Sequence, residues 1–226
     1  MKSNFSSYTL ILELLLMLFL SCKKENIPPE PVTDIEGNTY KTVRIDNQIW
    51  MAENLKTISY KDGTEIPLIS SSTTWGNLTT PGYCWYNNEE NEYKDPYGAL
   101  YNGYSVSTNK LCPTGWHVPT RDDWQELRVF LNDTITGGGK MKEAGTTHWL
   151  TPNKGADNST GFTALAAGIR YFEGSFSSIL YSTCFWSATE ISSNEEWYLS
   201  LYFGDAIVKI NYESKKHGFS VRCVKD

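Results

Sequence analysis

The chain has 226 residues, enough for one sizeable domain or two small ones, and its 40% hydrophobic and 14% aromatic content excludes disorder over most of its length. Eight Trp and fourteen Tyr tilt it toward strands and amphipathic surfaces. The formal net charge is -6 and no basic patch stands out, which argues against nucleic acid or an anionic lipid surface as the main partner.

Residues Leu10 to Leu20 form an apolar run interrupted by Glu13. Eleven residues fall short of the roughly 20 needed to span a bilayer. With Lys2 ahead of the run and Ser21-Cys22 behind it, residues 1–21 read as a secretory signal. A small residue directly before cysteine resembles a bacterial lipobox. That resemblance implies cleavage before Cys22, acylation of its sulfur, and export to a lipid-anchored position on the bacterial outer membrane. Residues 22–34 continue as a tether: three prolines and mixed charges favour an extended, solvated spacer. Removing residues 1–21 takes away Lys2 and Glu13 together and leaves the charge at -6.

Four further cysteines remain: Cys84, Cys112, Cys184 and Cys223. An even number in an exported chain favours two disulfides, and spacing leaves all three connectivities open. No C-x-x-C pair supports a zinc ribbon or a thioredoxin-type redox site.

Past the tether, Thr39 to Ile45 and Gln48 to Met51 read as a hairpin turning at Asp46-Asn47. Residues 56–82, rich in Thr, Ser and Gly, read as loop, with Trp75 inside it. Tyr83 to Tyr86 is a short strand. Asn87 to Glu92 offers oxygen ligands for a cation but lacks the alternating spacing and central glycine of a calcium loop; it reads as a solvated acidic loop. Asp95-Pro96 predicts a helix start, with Leu100, Tyr101 and Tyr104 on one side and an end near Ser107.

The run from Cys112 to Thr120 then leads into a second helix. Thr120 and Asp123 fit a capping box, and Trp124, Leu127, Phe130 and Leu131 form an apolar stripe. Asn132-Asp133 and Gly137-Gly138-Gly139 predict its end, the glycines as a flexible turn. Residues 140–160 look irregular. Gly204-Asp205 predicts a two-residue turn, pairing Phe203 with Ala206, Leu201 with Val208 and Leu199 with Ile210 on a core face. The opposite face carries Tyr198, Ser200, Tyr202, Lys209 and Asn211. Exposed tyrosines suit glycan or protein recognition, so these five are the candidate ligand-binding residues. A last strand, Gly218 to Val224, puts Phe219, Val221 and Cys223 on one side and Ser220 and Arg222 on the other.

These elements add up to an α+β chain with two short helices and strands concentrated in the C-terminal third. His117, His148 and His217 are far apart in sequence, and no nucleophile, phosphate-loop or dinucleotide motif appears. No metal, no cofactor and no enzymatic activity is expected.

The segments YCWYNN (83–88), DPYGALYN (95–102), CPTGWHVPT (112–120), GFTAL (161–165), FWSATE (185–190) and GFSVRCV (218–224) occur in that order. Together they resemble the Fibrobacter succinogenes major paralogous domain family over about residues 34–226. The resemblance implies one domain, residues 35–226, with a C-type-lectin-like fold: a twisted antiparallel sheet whose terminal strands return beside the first. It also implies a Cys112–Cys223 disulfide, leaving Cys84 with Cys184. Calcium-binding lectins of that fold carry Glu-Pro-Asn or Gln-Pro-Asp with Trp-Asn-Asp, and none of these is present here. The signature blocks of formylglycine-generating enzymes, which share the fold, are missing too. The terminal strands also look like those that carry the variable residues of retroelement-diversified binding proteins. The expected function is therefore a lipid-anchored surface protein that recognises a glycan or a protein. The alternatives are a structural envelope or appendage subunit, and a hydrolase on the same scaffold.

Overall fold

A computed structural model of the chain describes residues 28–131 and 135–226. The signal segment, Cys22, the first part of the tether, and Asn132-Asp133 lie outside the described residues. The described residues are α+β, with five short helices rather than the expected two, and mostly antiparallel sheets. None of the described helices is long and apolar enough to cross a membrane.

β1 (Val32–Thr33) pairs with β2 (Thr39–Tyr40). The hairpin of β3 (Thr42–Ile45) and β4 (Gln48–Met51) follows, with Ile45 opposite Gln48 as the sequence predicts. Asp46 takes a left-handed φ of 53°, which Asp tolerates better than most residues. Residues 56–82 contain a helix the sequence reading missed, α1 (Ser72–Asn77), capped by Ser71 through the Thr74 N–H. It has one buried apolar residue, Trp75, so no periodic stripe announces it.

After β5 (Tyr83–Cys84), the Asp95-Pro96 pair ends a helix instead of starting one. α2 (Glu90–Tyr97) is interrupted at Asp95, whose φ/ψ of -114°/120° is the extended geometry a following proline favours. Leu100, Tyr101 and Asn102 then form β6 (Leu100–Asn102), buried on both faces. Asn102 caps the four-residue α3 (Gly103–Val106) by accepting from the Ser105 N–H.

β7 (Trp116–His117) leads to α4 (Arg121–Phe130), whose capping box between Thr120 and Asp123 is formed on both sides. Trp124, Leu127 and Leu131 are buried, whereas Phe130 is 47% exposed and leaves the stripe. His117 sits between Asp123 (3.2 Å) and Asp226 (2.7 Å), and these carboxylates, Asp123 first, raise its pKa. The three glycines open a fifth helix, α5 (Gly137–Met141), rather than a flexible turn. They allow close backbone packing: a Cβ on Gly139 would lie 2.1 Å from the Gly155 carbonyl oxygen.

The remaining strands are β8 (Ala167–Arg170), β9 (Phe176–Ile179), β10 (Ser182–Ser192), β11 (Glu195–Tyr202), β12 (Lys209–Ser214), β13 (Gly218–Phe219) and β14 (Val224–Lys225). The long sheet runs β12-β11-β10-β8-β13-β6-β5, with β9 on β8, and β8 meets β10 in parallel. A second sheet runs β3-β4-β14-β7. Alternate residues of β10 face two aromatic clusters. Cys184 and Trp186 join Trp85, Tyr101 and Phe219, while Phe185 joins Trp50, Trp124 and Phe162.

The expected last strand is divided between these sheets. Its in-out alternation fails because Ser220 and Arg222 are as buried as Val221 and Cys223. The segment runs between two clusters, so neither face reaches water. Cys112 and Cys223 form a disulfide, as the resemblance implies. Cys84 and Cys184 do not: both are free, buried thiols. Cys84 lies opposite Leu100 on β6, and the Ser220 N–H donates to the Cys184 carbonyl. Two strand rows therefore separate the thiols, about 14 Å at the usual strand spacing. A disulfide tolerates Cα separations of roughly 4.4–6.8 Å.

Candidate functional site

The β11–β12 ladder has the predicted register, with Leu199 opposite Ile210, Tyr198 opposite Asn211 and Ser200 opposite Lys209. Leu199, Leu201 and Val208 are buried on the predicted core face. The turn is longer than the two residues expected. The ladder stops at Ser200–Lys209 because the connecting backbone is claimed elsewhere. The buried Lys142 ammonium donates to the carbonyls of Tyr202 (3.1 Å), Asp205 (2.8 Å) and Lys154 (3.0 Å). The Gly138 N–H takes Ala206 O at 2.8 Å. Burial pulls Lys142 down to about 8, and its three donors all meet carbonyls.

The five candidate residues share one face of this clamped hairpin, but unequally. Tyr198 is half-buried, its ring 5.0 Å from Phe219, and burial raises its hydroxyl pKa. Tyr202 is 42% exposed. Its ring packs edge-on against Phe203 at 4.6 Å, and Phe203 meets the exposed Tyr181 at 5.2 Å. Lys209 pairs with Asp205 at 3.1 Å, and Asn211 is exposed. The accessible patch is thus Tyr202, Lys209 and Asn211, with Ser200, like Tyr198, half-buried between them. β12 is the edge of the long sheet.

Further along this face, Glu190, Glu196 and Glu213 stand in one row across β10, β11 and β12. Glu196 is fully buried, and its Oε2 has no hydrogen-bond partner among the described residues. Lys215 is committed to Glu190 at 2.5 Å. Burial lifts Glu196 from its ordinary 4.5 to about 8, against the pull of the Lys215 charge. The folded state therefore holds a proton that the unfolded state releases above about 4.5. Stability is greatest below that pH and falls as the pH rises toward 8. Glu196→Gln removes the buried charge. Urea melts are expected to show it about 2–4 kcal/mol more stable than the parent at pH 9, and within about 0.5 kcal/mol of it at pH 4. The same gain at both pH values would refute this assignment.

A cleft of about 350 Å³ opens elsewhere, among segments the sequence reading did not connect. Lys41, Glu53, Lys56, Asp95, Glu143 and His148 are among its lining residues. His148 Nδ1 is 2.9 Å from both carboxylate oxygens of Glu143, and the Tyr97 ring meets the imidazole edge-on at 5.5 Å. Asn87 to Glu92 form no comparable site. They span a 3-10 turn and the start of α2, where Glu90 pairs with Lys94 at 2.8 Å. No group of three or more His, Cys, Asp or Glu among the described residues is placed to hold a metal ion.

Compared with known proteins, residues 43–225 match the family model described as the Fibrobacter succinogenes major domain. No curated protein and no solved structure matches the chain.

Proposed function

We propose, for a chain that belongs to the Fibrobacter succinogenes major domain family, a non-enzymatic recognition role at the bacterial surface. Family membership fits a cell-surface protein. The chain is exported, anchored through lipid on Cys22, and held off the outer membrane by its proline-rich tether. Its domain recognises a glycan or a protein through the outward face of β11 and β12. The observation that carries this reading is the cross-strand pairing of Ser200 with Lys209, beside the exposed Tyr202, on a hairpin whose end Lys142 clamps. A rigid aromatic and polar patch binds with little ordering cost. A C-type-lectin-like reading of the fold is supported by the chain's return: β14 pairs with both β4 and β7.

A glycan array and a pull-down from surface extracts test the binding role. The triple variant Tyr202→Ala, Lys209→Ala, Asn211→Ala is expected to weaken capture about tenfold or more. It should shift the unfolding free energy by less than about 1 kcal/mol, since all three side chains face solvent. Capture that the variant leaves intact, or no ligand for the parent, refutes the reading. For the anchor, Cys22→Ser is expected to release the protein from membranes; labelled palmitate on that variant would sink the assignment. The edge of β12, which no further strand among the described residues pairs, favours one other reading, a structural subunit that adds strands from a neighbour. A filament or defined oligomer at micromolar concentration would favour it over ligand recognition.

A further inference from the structure

We propose that the cleft beside His148 is a second binding site, specific for a neutral, hydroxyl-rich ligand of monosaccharide or disaccharide size. It does not rest on the hairpin face. Lys41 and Lys56 share the lining of one concavity with Glu53, Asp95 and Glu143, while Lys94, which also lines it, is paired with Glu90. A polyanion would meet the carboxylates and a polycation the ammonium groups, so neither is favoured. A hydroxyl group donates one hydrogen bond and accepts others, and it fits where a donor and an acceptor stand side by side.

The cleft holds two such pairs. Lys56 and Asp95 are 2.5 Å apart, and Asp95 remains largely open to solvent. On the other side, Glu143 engages His148 through Nδ1, which leaves Nε2 without a partner among the described residues. Lys56, Glu143 and His148 are already half-buried, with side-chain exposures of 22–24%, so their desolvation is largely met before a ligand arrives. Pro96 and Leu165 complete the lining with carbon surface suited to the C–H faces of a sugar ring. Ligand pockets usually measure about 300–1,000 Å³, and this cleft lies at the small end.

Arg222 also lines the cleft, but it is fully buried and gives hydrogen bonds to Asn54, Phe162 and Thr163. It braces the cleft and is not offered as a ligand contact.

The test is saturation-transfer NMR and titration of the full-length protein in detergent. The probes are glucose, galactose, mannose, N-acetylglucosamine and their disaccharides, with glucuronate and inorganic phosphate as charged comparators. At least one neutral saccharide is expected to bind saturably. Asp95→Asn and His148→Ala should weaken it about tenfold, with thermal melts confirming a folded protein. Lys41→Ala changes an exposed side chain with no ionic partner among the described residues. It is expected to weaken binding several-fold without touching stability, so a misfolded His148 variant cannot rescue or sink the proposal. Binding of phosphate or glucuronate alone would overturn it, as would no saturable binding to any probe. A saccharide lost with Tyr202→Ala but kept by all three cleft variants also overturns it, and assigns that ligand to the hairpin face.

Discussion

Breaking the Cys112–Cys223 bridge is expected to lower the unfolding free energy by about 4–5 kcal/mol, the largest effect of any single change considered. The two cysteines are 111 positions apart in sequence, so the crosslink denies the unfolded chain a loop of that size. The loop-entropy argument assigns about 4.7 kcal/mol to a 100-residue loop. The native state adds a reason of its own. Cys223 immediately precedes β14, where Val224 pairs with Trp50 of β4 and His117 of β7. Without the bridge, that closing strand keeps only two short ladders. Urea unfolding of the Cys112→Ser, Cys223→Ser protein measures the difference, which corresponds to a fall in Tm of about 10–20 °C for a chain of this size. A loss below about 1 kcal/mol would refute the argument. Alkylation of the parent provides a separate check. Cys84 and Cys184 should stay unmodified in native buffer, since burial pushes the Cys84 thiol up to about 12 and that of Cys184 higher still. Both should react after denaturation, and mapping should return one bridge.

Arg222→Met is expected to cost about 3–5 kcal/mol, although its apolar side chain suits the surroundings better than a cation does. The guanidinium is fully buried and stacks on Phe162, with its carbon 4.3 Å from the ring centroid. Its Nε donates to Asn54 Oδ1 at 2.9 Å, and its two terminal nitrogens donate to the carbonyls of Phe162 and Thr163. Burial lowers its pKa, yet the delocalised cation stays protonated at neutral pH because three acceptors face it. Methionine would leave those acceptors without donors inside the core, each costing about 1–3 kcal/mol. Arg222→Lys restores the charge but not the fork, so it is expected to recover less than half of the loss. Equal stability of the Lys variant and the parent would show that charge, and not the planar geometry, is what the site requires. Arg170 repeats the design, fully buried over Trp75 and bonded to the carbonyls of Ile69, Ser70 and Gly174. Two buried arginines thus pin loop backbone that lies outside the strands.

The candidate patch was partly legible. The hairpin register followed from apolar alternation, and Ser200, Tyr202, Lys209 and Asn211 lie on the predicted face. Half-burial of Tyr198 was not legible, because it depends on Phe219, which reaches the sheet from β13. Nor was the cleft, whose groups come from positions 41–56, 94–96, 143–148 and 163–165 with no shared spacing. Glu196 was hidden for the same reason: its neighbours in sequence, Glu195 and Trp197, do not reveal the row it forms with Glu190 and Glu213.

By itself, the sequence determined what neighbouring residues can settle. Asp46-Asn47 turns a hairpin because two residues close it, and Thr120 with Asp123 starts a helix because three positions bring cap and backbone together. The ordered segments also sufficed to place the chain in its family. The tertiary structure decided everything that needs distant partners. It kept Cys84 from Cys184 by setting two strand rows between them. It made a helix of Gly137 to Gly139 because the Gly155 and Ala206 backbones approach too closely for a Cβ. It buried Arg222 by threading the last strand between two aromatic clusters. In each case the deciding contact joins residues whose separation along the chain carries no information about their distance in space.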